Sequence, residues 1–458
     1  MYQQFKKDIG EYMGINMKSS LIKASKALML AAVCSTTMAQ GVTDKDLTTR
    51  WNTLMGDFNM TPKYHGFCYL DPNGELKGPN PHRRVRLAST SKIITALMAV
   101  DKLGPDYQYT TKFYWNGKDL HIKGDLDPVM SMRKLFFLIS QLNNVGITKI
   151  DKLTFDGNFR IFSKVETVAL SEFKPNVKST VKYLKDYFTV SEWNIIANLY
   201  KNFIKSTPKE IIDNLQIRTE LDDIKLEVGS ITHVKENPLK EADLKTYEMV
   251  SPKVAKYLKI MNVASNNYIA DQVFEKIGGR KAYHKYIQNF IKEKFGDYTA
   301  LRKEFDSKEH STYFYTGSGL NVGNGANRVD NYSTCAIMVN LVKELDDKMT
   351  ELQRGMQEVV AVPGTDKGTF KRRLNSKRLA NSIMAKTGTL KHTSSLAGKV
   401  STKEGGVYFG IFHQMRGWKG NAKMVQNQIV TDMVDAFGGP AKFDYKKEYF
   451  FPAEGTLR

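Results

Sequence analysis

The sequence predicts a mixed α/β protein of the α+β kind, in which antiparallel strands and helices form one body and a second domain is inserted into it. Three observations carry this expectation. Strand-like runs over 383–390, 394–400 and 407–415 follow one another closely, with Lys403-Glu404-Gly405-Gly406 joining the last two as a hairpin. Far upstream, Ile93, Ile94, Leu97, Met98 and Val100 have the spacing of a buried helix over 91–103, ended near Gly104-Pro105. Between these regions, residues 116–245 hold short strands, an amphipathic helix and a Lys-rich stretch without a chemical motif, and they read as an inserted domain. With 458 residues and 41% hydrophobic content, the chain has enough apolar mass for one large core and a smaller one.

The first 39 residues predict an export signal. Lys18, Lys23 and Lys26 precede a short apolar run from Ala27 to Val33, and Thr37-Met38-Ala39 offers small residues for cleavage after Ala39. Met17 is the expected start, and the sixteen residues before it an upstream extension. The apolar run is far below the roughly 20 residues that span a bilayer, so no integral membrane span is expected. Cys34 stands near a lipoprotein cysteine position, but the bulky Val33 before it disfavours lipidation. The expected location is outside the cytoplasm, as in a periplasm.

After the leader, Leu47, Trp51, Leu54 and Met55 predict a helix over 45–57. His65 to Leu70 reads as a strand, and Asp71-Pro72-Asn73-Gly74 as the turn that closes it into a hairpin. Within the insert a Gly-Asp-Leu-Asp-Pro turn at 124–128 precedes a helix near 132–144, and the charges around Lys178 to Lys185 read as a solvated face. Helical sequence resumes with Ser251 as cap and Pro252 in the first turn, and stops at Gly278-Gly279.

The formal charge is +20, from 68 Lys and Arg against 48 Asp and Glu. Removing residues 1–39 takes away five lysines, Asp8 and Glu11 and leaves +17, which suits peripheral contact with an anionic wall or membrane surface. The basic residues form short pairs rather than blocks and no nucleic-acid motif accompanies them, so nucleic acid is not an expected partner. Cys68 and Cys335 are too few to define a disulfide framework and read as buried apolar fillers. The eight histidines, His392 included, lack metal-ligand spacing, and no phosphate loop is present, so neither metal nor cofactor is expected.

The chemistry starts at Ser89-Thr90-Ser91-Lys92. A hydroxyl and an amine three residues apart at a helix start share one face and can exchange a proton, and burial makes such a lysine a base by lowering its pKa. The same spacing recurs at Ser20, Ser131, Ser171, Ser179 and Ser206, but only Ser89 stands between an extended segment, Arg86-Leu87-Ala88, and an apolar helix. Two further motifs occur once each. Ser265-Asn266-Asn267 lies between helical segments and offers a hydroxyl for proton relay and an amide for a substrate backbone. Lys386-Thr387-Gly388 lies on a predicted strand, where a cation and a hydroxyl can hold a carboxylate and glycine admits close backbone approach.

Taken together and in this order, the motifs resemble those of class A β-lactamases and penicillin-binding proteins. The mature chain resembles the low-molecular-mass, class C penicillin-binding proteins of the D-alanyl-D-alanine carboxypeptidase and endopeptidase type, in which extra domains separate the first two motifs. Here 176 residues separate Ser89 from Ser265. Ile122 to Pro128, Asp156-Gly157-Asn158-Phe159, Thr316 to Leu320 and Gly364 to Phe370 with Arg372 resemble further segments of that family. Asn266 and Thr316 depart from it, each standing where the family usually has Asp.

The resemblance implies a penicillin-binding-protein/β-lactamase-like fold with an antiparallel sheet flanked by helices. Residues 40–115 and 246–458 would form its discontinuous catalytic domain around the insert at 116–245. It implies Ser89 as nucleophile, Lys92 as base, Ser265 as proton relay and backbone N–H groups of Ser89 and Thr389 as the oxyanion hole. Asn267, Lys386, Thr387 and Gly388 would bind substrate. The implied substrates are peptidoglycan stem peptides, with β-lactams as covalent inhibitors. A β-lactamase or esterase on the same fold, and a non-catalytic wall-binding protein, are the alternatives.

Overall fold

Leu47, Trp51, Leu54 and Met55 fall on one face of helix α1 (Asp46–Asp57), and that face is buried as the spacing predicts. The protein is described here by a computed structural model covering residues 46–161, 176–188, 193–220, 224, 226–239, 244–296, 311–415, 417 and 419–458. The expected leader, its cleavage site and Cys34 lie outside the described residues. Strand β1 (Gly66–Leu70) turns into β2 (Leu76–Lys77) where the Asp71 carboxylate accepts the N–H groups of Asn73 and Glu75, both at 2.9 Å. Strand β3 (Arg84–Arg86) then leads through one 3-10 turn, Ala88–Thr90, into α2 (Ser91–Leu103).

Next come β4 (Thr110–Trp115), β5 (Leu120–Lys123), α3 (Met132–Asn144), β6 (Lys149–Phe155), α4 (Val177–Phe188), α5 (Trp193–Ser206), α6 (Lys209–Asn214), β7 (Glu227–His233) and β8 (Lys245–Val250). The chain continues with α7 (Val254–Ala264), α8 (Asn267–Lys276), α9 (Gly279–Phe295), β9 (Tyr332–Thr334) and α10 (Cys335–Glu351). It closes with β10 (Ile383–Leu390), β11 (Thr393–Thr402), β12 (Gly405–Gln414) and α11 (Gly420–Ala436).

The main sheet is antiparallel with order β10-β11-β12-β1-β2, so β10 is an edge. Its pleat sorts the neighbouring elements onto two faces, because paired residues share a side. On one face Lys399 and Tyr408 meet Asp346 of α10, and the Ser395 hydroxyl donates to the Leu87 carbonyl ahead of α2. On the other, Ser394 accepts from Gln426 of α11 and His413 stacks on Trp51 of α1. The sheet is thus flanked by helices, with its core built from residues such as Ile94, Leu97, Leu258, Met338 and Phe412. A second, mixed sheet has the order β7-β6-β5-β4-β8, opens at Thr110 and packs a separate core that includes Phe113, Leu138 and Phe155. Lys178, Lys182 and Lys185 of α4 are exposed, as the sequence predicts.

Three sequence expectations are corrected. Cys68 and Cys335 are not separate fillers: they form a disulfide with Cα atoms 5.9 Å apart, joining β1 to the first residue of α10 across 267 positions. Burial made them look apolar, and nothing local announces a pairing over that separation. Ser251 does not cap α7. Lys253 occupies that place, because Ser251 Oγ is drawn to the Tyr109 N–H at 2.8 Å. The hairpin turn is two residues, Lys403-Glu404, with Gly405 and Gly406 already paired in β12.

A cross-link across so long a loop stabilises chiefly by restricting the unfolded chain, typically by about 2–4 kcal/mol. Replacing both cysteines by alanine is therefore expected to lower unfolding stability by about that amount in denaturant titration, and reductant should then have no further effect on the variant.

Candidate active site

Ser89 sits in the 3-10 turn directly ahead of α2, and the residue before it, Ala88, has a left-handed backbone with φ of +51°. Such a conformation costs a non-glycine residue energy and persists only where surroundings enforce it. Here the Leu87 carbonyl is clamped by Ser395 Oγ at 2.6 Å and Thr90 Oγ1 at 2.7 Å. One turn into the helix, Lys92 is wholly buried on the same face. Its Nζ lies 3.1 Å from Ser89 Oγ, 2.7 Å from Asn267 Oδ1 and 2.8 Å from the Ser318 carbonyl. Those three acceptors match the three protons of an ammonium. A neutral amine could instead turn its lone pair to the Ser89 hydroxyl and keep two N–H bonds to Asn267 and Ser318.

Ser265 ends α7 with φ of +56°, and Asn266 caps α8 by accepting the Ile269 N–H at 3.0 Å. That reversal places Ser265 and Asn267 on the same side, toward the two lysines. Lys386 Nζ donates to Ser265 Oγ at 3.0 Å and to the Thr387 carbonyl at 2.7 Å. The structure therefore brings together Ser89, Lys92, Ser265, Asn267 and Lys386. Thr387 alternates to the other side of the pleat, and its carbonyl rather than its hydroxyl meets Lys386. A Cβ at Gly388 would lie 2.2 Å from Ser395 Oγ, 2.8 Å from the Leu87 carbonyl and 3.0 Å from the Ser89 nitrogen, so only glycine lets β10 lie against the turn. Thr389 is exposed on the free edge of β10. Because Ala385 sends its N–H away from β11 to the Ala361 carbonyl, the two-residue period aims the Thr387 and Thr389 N–H groups the same way.

Both lysines are fully buried, and burial disfavours a charged amine. It pulls Lys92 down to about 7, against the opposing charge of Asp271. Lys386 is held well below the ordinary lysine range by burial first and the nearby charge of Lys92 second.

Sequence reasoning missed several supporting residues. Asp271 lies four positions after Asn267 on α8 and accepts the Ser318 N–H at 2.8 Å; the i,i+4 spacing was the available signal. Asn331 is buried and donates to Ser91 Oγ and the Thr316 carbonyl while accepting the N–H groups of Tyr315 and Thr316, which fixes the 315–320 loop on α2. Thr95 Oγ1 donates to the Gly317 carbonyl at 2.7 Å. By contrast, Ser131 of the repeated Ser-x-x-Lys pattern caps α3, and its Lys134 is spent on buried Asp127.

A serine and a buried lysine at the mouth of a helix, beside a second buried lysine on the edge strand of an antiparallel sheet, define the penicillin-binding and β-lactamase-like class of serine hydrolases. The chain belongs to the D-Ala-D-Ala carboxypeptidase 3 (S13) family, whose sequence profile matches residues 71–165 and 214–435. It is an S13 peptidase. Among solved structures it is similar to Bd3459, a predatory peptidoglycan endopeptidase of Bdellovibrio bacteriovorus, with TM-score 0.71 and 29% identity over 86% of this chain and 98% of that one. Bd0816, a predatory endopeptidase of the same bacterium solved with immunity protein Bd3460, gives TM-score 0.71 and 26% identity over 86% and 99% of the two chains. Penicillin-binding protein 4 of Haemophilus influenzae shares the fold at TM-score 0.53 and 17% identity, over 84% and 99% of the chains. No helix among the described residues is long and apolar enough to cross a membrane.

The Gly388 packing gives a direct check. Gly388→Ala should push the Ser89 turn off β10, slow acylation by a fluorescent penicillin at least tenfold, and lower stability by about 1–3 kcal/mol in chemical unfolding.

Proposed function

We propose that the chain is a D-alanyl-D-alanine peptidase of peptidoglycan stem peptides, acting as carboxypeptidase or endopeptidase, with Ser89 as nucleophile and Lys92 as its base. The observation that carries this reading is the buried Lys92 amine 3.1 Å from Ser89 Oγ, tied to Asn267 and to the Ser318 carbonyl. Membership of the peptidase family supports it, as does the solved form of Bd3459 acylated by penicillin G.

In this mechanism Ser89 Oγ attacks the carbonyl of the penultimate D-Ala as its proton passes to Lys92. The tetrahedral oxyanion faces the backbone N–H groups of Ser89 and Thr389, where losing a donor of this kind costs about 10²- to 10³-fold in rate. Lys92 then gives up that proton, relayed through Ser265 beside Lys386, to the leaving amine as the peptide bond breaks, so both side chains regain their starting states. Asn267 binds the peptide backbone, and Lys386 with Thr387 holds the departing carboxylate. Water then attacks the ester, and its proton returns through Lys92 as Ser89 is freed. The open edge of β10 suits a substrate bound as an added strand.

The same reading takes residues 1–39 as an export signal that places the enzyme outside the cytoplasm, and 116–245 as an inserted domain. The separate core around Leu138, Ile150 and Phe155 supports the latter, and β4 and β8 at its borders add Phe113 and Met249 to that core.

Three outcomes test the assignment. Intact mass after penicillin treatment should show one covalent adduct on the wild type and none on Ser89→Ala; an adduct on the variant would place the nucleophile elsewhere. A base must be unprotonated to act, so the acylation rate should climb with pH through about 7, where the Lys92 amine sheds its proton. Below that point the rate should fall about tenfold per pH unit. Since the charge of Asp271 holds the lysine's pKa up, Asp271→Asn should move this rise to lower pH. A move to higher pH would contradict the role given to that carboxylate.

A further inference from the structure

Where the chain enters β10, three strips lie side by side: α11, the segment 371–381 and the tail 441–447. Arg373 ties the first two, donating through Nε to Asn427 at 3.0 Å and through Nη2 to Gln426 at 2.8 Å, and Arg378 pairs with Asp435. From Asn427 to Asp435 these anchors cover about 12 Å of helix. The tail is held to the middle strip by Lys442 Nζ on the Lys377 carbonyl at 3.3 Å, the Phe443 N–H on the Asn381 carbonyl at 2.9 Å and Asn381 Nδ2 on the Tyr445 carbonyl at 2.9 Å. Six exposed cations stand on the second and third strips: Lys371, Arg372, Lys377, Lys442, Lys446 and Lys447. None has an ion-pair partner among the described residues. Of the neighbouring exposed carboxylates, Asp435 and Glu448 are engaged by Arg378 and Lys256, which leaves Asp444.

Such a surface fits a polyanion, because exposed cations are individually weak but together raise the local concentration of opposite charge. Two features distinguish a wall polymer from a lipid surface. Among the described residues of the three strips, Met424 alone is a well-exposed large apolar side chain, while Leu374 and Leu379 between the cations are buried. A bilayer surface is gripped by apolar area as well as by charge, and this face offers little. The middle strip also continues into the catalytic site. Just upstream of it, Gly368 lies so close to the Val263 carbonyl, two residues before Ser265, that a Cβ there would be 2.0 Å away. Ala361 accepts the N–H of Ala385, the neighbour of Lys386, at 2.9 Å. The cations therefore reach the site from the side of Ser265 and Lys386, where the leaving group departs in the function proposed above; the choice of occupant rests on that function. We propose that this face docks polymeric peptidoglycan, its lysines and arginine binding the carboxylates of stem peptides that neighbour the one being cleaved.

The test is co-sedimentation of the full chain, carrying Ser89→Ala so that the wall stays intact, with insoluble peptidoglycan in native form or with its carboxylates amidated. This parent should bind native wall at least tenfold more tightly than amidated wall. Combining Lys371→Gln, Lys377→Gln and Lys442→Gln should cut that ratio below threefold. Combining Lys178→Gln, Lys182→Gln and Lys185→Gln on α4 removes the same charge and should keep the ratio within twofold of the parent. Arginine in place of lysine at 371, 377 and 442 should preserve it as well. With Ser89 restored, penicillin capture and D-Ala release from a soluble pentapeptide should stay within twofold of wild type in both glutamine variants. Equal binding of native and amidated wall would refute the docking face, as would a ratio that the first glutamine variant keeps, one that the α4 variant lowers equally, or one that arginine fails to preserve. Loss of penicillin capture in the first glutamine variant would also refute it, since those side chains would then shape the site. Binding of the parent to anionic phospholipid vesicles through these lysines, without binding to the wall, would replace it with a membrane contact. If wild type neither releases D-Ala nor captures penicillin while the charge-dependent sedimentation holds, the proposed function fails and the docking face stands.

Discussion

Two lysine amines buried in one pocket are the constraint around which the catalytic half of the molecule is arranged. Removing a charged amine from water costs several kcal/mol unless hydrogen bonds replace its hydration or the proton leaves. The oxygens that receive Lys92 are a hydroxyl, an amide and a carbonyl, and those that receive Lys386 are a hydroxyl and a carbonyl; all are neutral. Neutral acceptors satisfy an amine without holding it charged. The site therefore keeps its polar groups bonded while favouring the free base, which is the form that can take a proton from serine.

That arrangement requires elements distant in sequence to meet within hydrogen-bonding tolerance. Helix α2 brings Ser89 and Lys92, α8 brings Asn267, the 315–320 loop brings a carbonyl, and β10 brings the second lysine. Asn331 and Thr95 bind the loop to α2, and Lys259 of α7 holds the segment before β10 through Asp366 and the carbonyls of Gln357 and Val360. The disulfide fixes α10 to the sheet beneath. At the other end of the chain, Phe443 binds the Asn381 carbonyl while Arg458 pairs with Glu248, so the last residues run from one core to the other. Gly319 shows how close the fit is: its φ is +78°, and a side chain there would overlap the Ala88 carbonyl.

Much of this was legible in the sequence because the chemistry is packed into short motifs on regular elements. The helix after Ser89, the strand through Lys386 and the reversal at Ser265 are each set by a few neighbours, and apolar spacing identifies them. Asp271 shared a helix face with Asn267 and could have been found. Asn331 could not, since its role exists only once the loop folds back on α2. The disulfide escaped for the same reason: loop closure over 267 positions leaves no local trace. The lowered lysine pKa values follow from burial, which is a property of the assembled core. The pairing of Arg86 and Arg328 with Asp330 is tertiary as well, since Arg86 comes from a segment far from the other two in the chain.

The central claim is that the Lys92 amine loses its proton near neutrality in the resting enzyme. Lysine side-chain NMR on selectively labelled protein, assigned by comparison with Lys92→Arg, would follow this one group through a pH titration. A midpoint near 7 is the result the buried, neutrally bonded amine predicts. A midpoint at the ordinary lysine value of about 10.4 would contradict it, because the group would then be a fixed cation and Ser89 would need another base.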